Sequence, residues 1–494
     1  MRSVLNILLP VTFLLFAVGC ADDFLETEPS EFVSGEQLQN APDAVFSLLD
    51  GAYNFMVKYN TQDNSGTVHD DFGQKSIDLG VDLMTEDMIF PQPAYGWFQD
   101  DYRFDNRNAE YRRTKMVWNY YYKLIFASNQ VLDILGEELA DDKSENYAGQ
   151  ALAMRAYSHY YLVRLFQYTY NGHEFDKGVP LKISLTEKNQ PRDSVITVYE
   201  QIEEDLLLAI DLLEGKAQPS KREINYNVAC GILADVYLTM ENYTEAAKYA
   251  NLARNGYSLM GDEAWLSGFQ DVTNPEWMWG YDHNINSATT FASFFSMMDP
   301  VKYGYAGIGD HKAISSTLYD QISDTDIRKM AFVGAEVDTV VEGQDTTLLE
   351  PYTIKKFRDT SPELTYTGDY VFMRASEMYF IEAEALARDG REAEAKQVLY
   401  DIVSERDGSY SLSGNSGQAL LDEIFLQKRI ELLGEGRTFF DLKRMKKGVD
   451  RTNIPNHTAL TNEVIPWDDK RFLYQIPEAE IDPNLGMGPE DQNP

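Results

Sequence analysis

Residues 227–253 read NVACGILADVYLTMENYTEAAKYANLA, a helix hairpin of the tetratricopeptide type. Small Ala234 and Ala246 fall where paired helices must approach closely, and Leu233, Tyr237 and Tyr243 fill the groove between them. Cys230 lies inside the apolar pattern and reads as a small core residue. Residues 374–403, RASEMYFIEAEALARDGREAEAKQVLYDIV, repeat the arrangement with Ala383, Gly390 at the turn, Ala395 and Leu399. Neither hairpin carries the whole repeat signature, and residues 257–369 are not a further clean repeat, which argues against a pure solenoid.

Other segments on either side are helical as well. In SVITVYEQIEEDLLLAIDLLEG, residues 194–215, Val198, Ile202, Leu206, Ala209 and Leu213 fall on one face, Glu203, Glu204 and Asp211 lie elsewhere, and Gly215 can end the helix. Residues 118–139 and 147–168 behave similarly, and their many tyrosines predict helices largely enclosed by neighbours. Between helices, residues 90–108 and 257–369 are rich in glycine, aromatics and short β-like runs such as NPEWMWGYDHN and DTTLLEPYTIKKF. Long insertions of this kind are uncommon in compact domains unless they serve as binding loops. Residues 409–418, SYSLSGNSGQ, form a Gly/Ser loop with no obvious chemistry.

The N-terminus reads as an address. Arg2 precedes an uncharged apolar run from Val4 to Gly19, the pattern of a secretion signal covering residues 1–19. The run is short of the about 20 apolar residues of a membrane span, and Pro10 interrupts it. Ala17-Val18-Gly19-Cys20 resembles a bacterial lipobox, with alanine in place of the usual leucine, so Cys20 is expected to be the lipidated first residue of the mature chain. The other reading is an ordinary signal peptide with a chance cysteine. With two cysteines and one acylated, no disulfide framework remains. Asp22 and Asp23 resemble the acidic signal that sends some lipoproteins to the outer face of the outer membrane.

Charge narrows the partners. A net charge of -37 over 494 residues opposes binding to nucleic acid or other polyanions and favours neutral ligands. With 44% hydrophobic residues the chain can bury a large core.

The pieces CADDFLETEP, MRAYSHYYLVRLF followed by GVPL, YEQIEEDLLLAIDLL, NVACGILADVYLTMENYTEAAKYA, RASEMYFIEAEAL, KRIELLGEGRTFFDLKRMKKG and YQIPEAEIDPNLGMGPEDQNP, in that order, make the chain resemble the SusD/RagB family from end to end. The resemblance implies a mainly α fold, a SusD-like α/α superhelix with four tetratricopeptide-like helix pairs on one side, a large irregular ligand-binding side and a few short strands. It implies one unit over 20–494, built from an N-terminal region, 20–215, and a C-terminal region, 216–494. It also implies capture of oligosaccharides, or of peptides in RagB-like branches, for a SusC-like TonB-dependent transporter at the surface of a Gram-negative outer membrane, through a lipid anchor and without catalysis or cofactor.

Candidate ligand residues follow from sugar chemistry. A pyranose has a face lined with C–H groups that stacks on a flat aromatic while polar neighbours bond its hydroxyls. In PAYGWFQDDYRF, residues 93–104, Tyr95, Trp97, Phe98 and Tyr102 could supply platforms, and Asp100, Asp101 and Arg103 polar contacts. The same loop reads equally as an aromatic plug. The family places a carbohydrate-contacting tryptophan in a comparable early loop, which implies a ligand role for Trp97. In a second aromatic group that also includes Trp265 and Tyr281, Trp277 and Trp279 alternate in an apparent strand, point to the same face and read as packing, whereas Tyr303 and Tyr305, in KYGYAGIG, read as ligand contacts.

Rival chemistry is thin. Eighty acidic residues guarantee carboxylate pairs, so Asp78, Asp82, Glu86 and Asp87 do not by themselves signal glycoside hydrolysis. The six histidines lack HExxH spacing, and neither GxSxG nor GxxxxGK[ST] occurs. GYAGIGD lacks the strand–helix setting of a dinucleotide loop. DNSGTVHDD lacks EF-hand spacing, so calcium is open there and no metal ligand is assigned. The cluster KRIELLGEGRTFFDLKR, with Arg429, Glu431, Glu435, Arg437, Asp441 and Arg444, is expected to stitch the C-terminal helix to the rest, with a helix break at Gly434 and Gly436.

Overall fold

The apolar stripe at 198–213 closes on a neighbour as its spacing demands: Val198, Ile202, Leu206, Ala209 and Leu213 are buried, and Glu204 and Asp211 face water. The computed structural model describes residues 44–494 apart from 65, 93, 343–344, 363 and 458–460. The expected signal peptide and Cys20 lie outside the described residues. The longer helices are α1 (Ala44–Phe55), α2 (Gln74–Leu83), α3 (Arg112–Leu135), α4 (Asp142–Phe166), α5 (Val195–Leu213), α6 (Tyr226–Thr239), α7 (Tyr243–Arg254), α8 (Ala375–Arg388), α9 (Glu392–Val403), α10 (Gln418–Leu432) and α11 (Thr438–Arg444). From α3 to α9 each helix packs on the next, and α10 packs on α8. No helix among the described residues is long and apolar enough to cross a membrane.

Local chemistry starts these helices. Asp141 and Ser144 form a reciprocal capping box ahead of α4, with the Ser144 amide donating to Asp141 Oδ1 at 2.8 Å. Asn225 caps α6 by accepting from the Val228 amide at 2.9 Å. The hairpin read at 227–253 is α6 and α7, with Leu233, Ala234 and Ala246 fully buried and Tyr243 half-buried. Cys230 is a buried free thiol.

Among the described residues the strands form four two-stranded antiparallel pairs rather than one sheet: β1 (Met88–Ile89) with β3 (Ala313–Ile314), β2 (Trp277–Tyr281) with β6 (Tyr370–Arg374), β4 (Asp338–Glu342) with β5 (Asp345–Leu349), and β7 (Val449–Asp450) with β8 (Val464–Ile465). The first pair matters most for the site. It sets Met88 opposite Ile314, so the loop leaving β1 runs beside the segment that leads into β3. Asp310 clamps the two, since its Oδ1 accepts the backbone amides of Ala94 at 2.5 Å and Tyr95 at 3.2 Å. Lys312 seals the clamp from below: its ammonium lies 3.9 Å from the Phe90 ring and donates to the Asp310 carbonyl, and burial pulls its pKa down to about 7.

The charged C-terminal cluster forms buried ion pairs. Glu431 is fully buried and accepts from Arg374 Nη1 at 2.6 Å, Arg406 Nε at 3.2 Å, Arg328 Nη1 at 3.3 Å and Trp265 Nε1 at 3.0 Å. Burial alone raises its pKa, but the three guanidinium groups outweigh that and hold it well below the usual carboxylate range. Arg374 and Arg406 also grip Glu276, which leads into β2, at 2.7 and 2.9 Å. Arg429 pairs with Glu86 and Asp87, Arg437 with Glu377, and Arg444 with Glu384. The helix break is steric: Gly434 and Gly436 have φ of 86° and 77°, and a Cβ at Gly434 would meet Phe357 at 2.2 Å.

Two outcomes follow from these contacts. Glu431→Ala leaves three buried guanidinium groups short of their shared counter-charge and is expected to remove about 3–5 kcal/mol from the unfolding free energy in a urea titration, against less than about 0.5 for exposed Glu204→Ala. Asp310→Ala is expected to speed hydrogen exchange at the Ala94 and Tyr95 amides while leaving α3–α7 protected, measured by exchange mass spectrometry.

Candidate functional site

Three loops converge on one aromatic ledge. The first follows α1 and carries Tyr59 and His69; the second follows β1 and carries Tyr95 and Trp97; the third contributes Phe291, Tyr303 and Tyr305. His69 is the hub. Its ring centroid lies 5.5 Å from Trp97, 5.6 Å from Tyr305, 6.2 Å from Tyr59 and 6.3 Å from Phe291. Tyr305 in turn meets Tyr95 edge-on at 5.2 Å, Phe291 at 5.7 Å and Trp97 at 6.3 Å, and Phe291 meets Tyr303 at 6.1 Å. These edge-to-face contacts are the favoured geometry for aromatic pairs and fix the rings at steep mutual angles.

The rings are unequally open. Tyr95 and Tyr303 are 51% and 52% exposed, Trp97, Phe291, Tyr59 and His69 are half-buried, and Tyr305 is 8% exposed. Tyr305 is thus the floor and Tyr95 and Tyr303 the rims. The Tyr305 hydroxyl lies 2.6 Å from His69 Nδ1, and burial raises its pKa. Burial lowers the pKa of His69, opposed by the neighbouring charge of Asp70.

Two ring residues read as platforms face inward. Phe98, in a left-handed conformation at φ 63°, is buried with its ring 5.9 Å from Phe72 and the Arg113 guanidinium 5.2 Å from it. Tyr102 is buried too, stacked 5.8 Å from His457 and bonded to its Nδ1 at 2.8 Å. Both therefore anchor the loop as the plug reading has it, whereas Tyr95 and Trp97 turn out toward solvent. Asp101 is buried against Arg113 at 3.2 Å, while Asp100 is exposed and Arg103 half-buried on the short helix Gln99–Arg103. Trp277 and Trp279 are core residues, as read from the sequence, and Trp265 and Tyr281 are buried with them.

Sequence reasoning missed His69, Phe291, Tyr59 and Asp310. His69 stood in DNSGTVHDD, weighed only for calcium, and Asp310 in GYAGIGD, weighed only as a nucleotide loop. Nothing in the local pattern ties His69 to Tyr305, 236 residues away.

Comparison with known proteins bears on the fold and the family. Residues 38–238 match a family profile described as starch-binding associating with outer membrane, and residues 344–494 match that of the SusD family. SusD-like protein P38 of Formosa agariphila is 23% identical, aligned over 96% of this chain and 98% of its own, and SusD-like protein P2 of the same organism is 24% identical over 97% and 98%. A SusD-like carbohydrate binding protein from Bacteroides vulgatus superposes with a TM-score of 0.77 at 23% identity, covering 94% of this chain and 99% of that one. Surface glycan-binding protein A from Bacteroides fluxus gives 0.68 at 19% identity, with 92% and 99% covered. With two profiles of one family spanning most of its length and full-length relatives sharing its helical architecture, the chain belongs to the SusD/RagB family.

Proposed function

We propose that this chain is a cell-surface lipoprotein that captures neutral oligosaccharides on the ledge of Tyr95, Trp97 and Tyr303 and passes them to a SusC-like TonB-dependent outer-membrane transporter. One observation carries the reading: Tyr95 and Tyr303, from separate loops, stand about half open to water beside the partly open Trp97 and a hydrogen-bonded hub, which suits the C–H face of a sugar. Tyr305 supports the platform from beneath. Phe98, Tyr102 and the short helix of Arg103 hold the loop in place. The net charge of -37 favours an uncharged ligand. Similarity to a protein described as SusD-like and carbohydrate binding supports the ligand class.

Capture proceeds without bond breaking. Two carboxylates beside the ledge have structural duties: Asp310 holds the backbone of the second loop, and Asp70 pairs with Arg112. Removal of residues 1–19 and acylation of Cys20 would tether the protein beside the transporter mouth, where its effective concentration is raised without any new contact.

Titration calorimetry against neutral oligosaccharides tests the assignment. Trp97→Ala is expected to weaken the best ligand of the parent by about tenfold or more, equivalent to about 1.4 kcal/mol, with circular dichroism unchanged. Unchanged affinity would remove Trp97 from the site. Release of new reducing ends on incubation would favour a surface glycoside hydrolase, and binding of peptides in place of glycans a RagB-like capture protein.

A further inference from the structure

The hub of the ledge is a polar group among flat rings, and its hydrogen bonding is directional. Tyr305 is buried, and its hydroxyl proton needs an acceptor of its own. Among the described residues that acceptor is His69 Nδ1, at 2.6 Å. A neutral imidazole accepting at Nδ1 carries its proton on Nε2. Burial favours the neutral ring, and the carboxylate of Asp70, which would favour the cation, is engaged by Arg112. Nε2 bonds to no described residue, while the imidazole is half open to solvent between Trp97 and Phe291.

Resting on the glycan reading of this ledge, we propose that His69 is its specificity-determining polar group: in a Tyr305–His69 relay the buried hydroxyl donates to Nδ1 and so fixes the Nε2–H tautomer, and Nε2–H donates to an oxygen of the bound sugar. Stacking on ring faces tolerates many sugars. A fixed donor in their midst rejects those that present no oxygen to it, because the buried relay is then left incomplete.

Two measurements on the full chain test this. Long-range proton–nitrogen correlation spectra of histidine-labelled protein, with His69 assigned by its loss in His69→Gln, are expected to show the Nε2–H tautomer at pH 7.5 and a mixture of tautomers in Tyr305→Phe. Calorimetry with malto-, cello-, xylo- and mannohexaose is expected to show His69→Phe, which keeps a flat ring without a donor, binding the parent's best probe about tenfold more weakly. A Nδ1–H tautomer or an imidazolium at that pH, or equal affinity of His69→Phe and the parent, overturns the assignment. If none of the four probes binds the parent, the glycan reading falls and the ligand role of His69 with it, while the tautomer result still decides the relay.

Discussion

A carboxylate buried away from water must find its compensation inside the protein, and Glu431 finds it in three arginines that come from three different parts of the chain. Arg328 belongs to the irregular side, Arg374 ends β6 and Arg406 follows α9. The charge can be desolvated only when all of these segments are in place. The same framework reaches the ledge. Lys356 donates to the carbonyls of Glu431 and Leu433, and Arg358, two residues on, donates to Asp299 at 2.9 Å. Asp299 also accepts the amides of Val301 and Lys302 and so seats the loop that presents Tyr303 and Tyr305. The proposed ligand surface, made of loops, is thereby held by charges in the core.

Rigid support changes what binding costs. Loops that must be ordered by the ligand lose part of the interaction energy to entropy, whereas a ledge already fixed by Asp310, Asp299 and the β1–β3 pair loses less. The inward turn of Phe98 and Tyr102 serves the same end. Each places a large ring in the core beside a cation, the Arg113 guanidinium at 5.2 Å and that of Arg451 at 4.7 Å, so that the intervening backbone can hold Trp97 toward solvent.

The helices were legible because their residues obey one period. Val198 to Leu213 announce a buried face, and Ala234 and Ala246 announce a close helix pair, without reference to the rest of the chain. The alternating charges from Lys428 to Arg444 foretold ion pairing, but most of their partners, such as Arg374 and Glu384, lie outside that segment rather than within it. The ledge was legible only in part. In an irregular loop no period says which ring turns out, so Tyr95 and Phe98 look alike in sequence and are 51% and 2% exposed in the fold. β1 and β3 are two residues each, too short to carry a pattern, and yet they bring the loops of Tyr95 and Tyr305 together. His69 had no local signal at all, since its meaning comes from a tyrosine distant in the chain.

The central claim is that the open rings of this ledge are where a sugar sits. A crystal structure of the chain bound to an oligosaccharide that it retains in solution tests it most directly. The account predicts a pyranose face within about 4 Å of the Trp97 ring, bordered by Tyr95 and Tyr303. An oligosaccharide lodged elsewhere on the molecule, with these rings left bare to solvent, would contradict it.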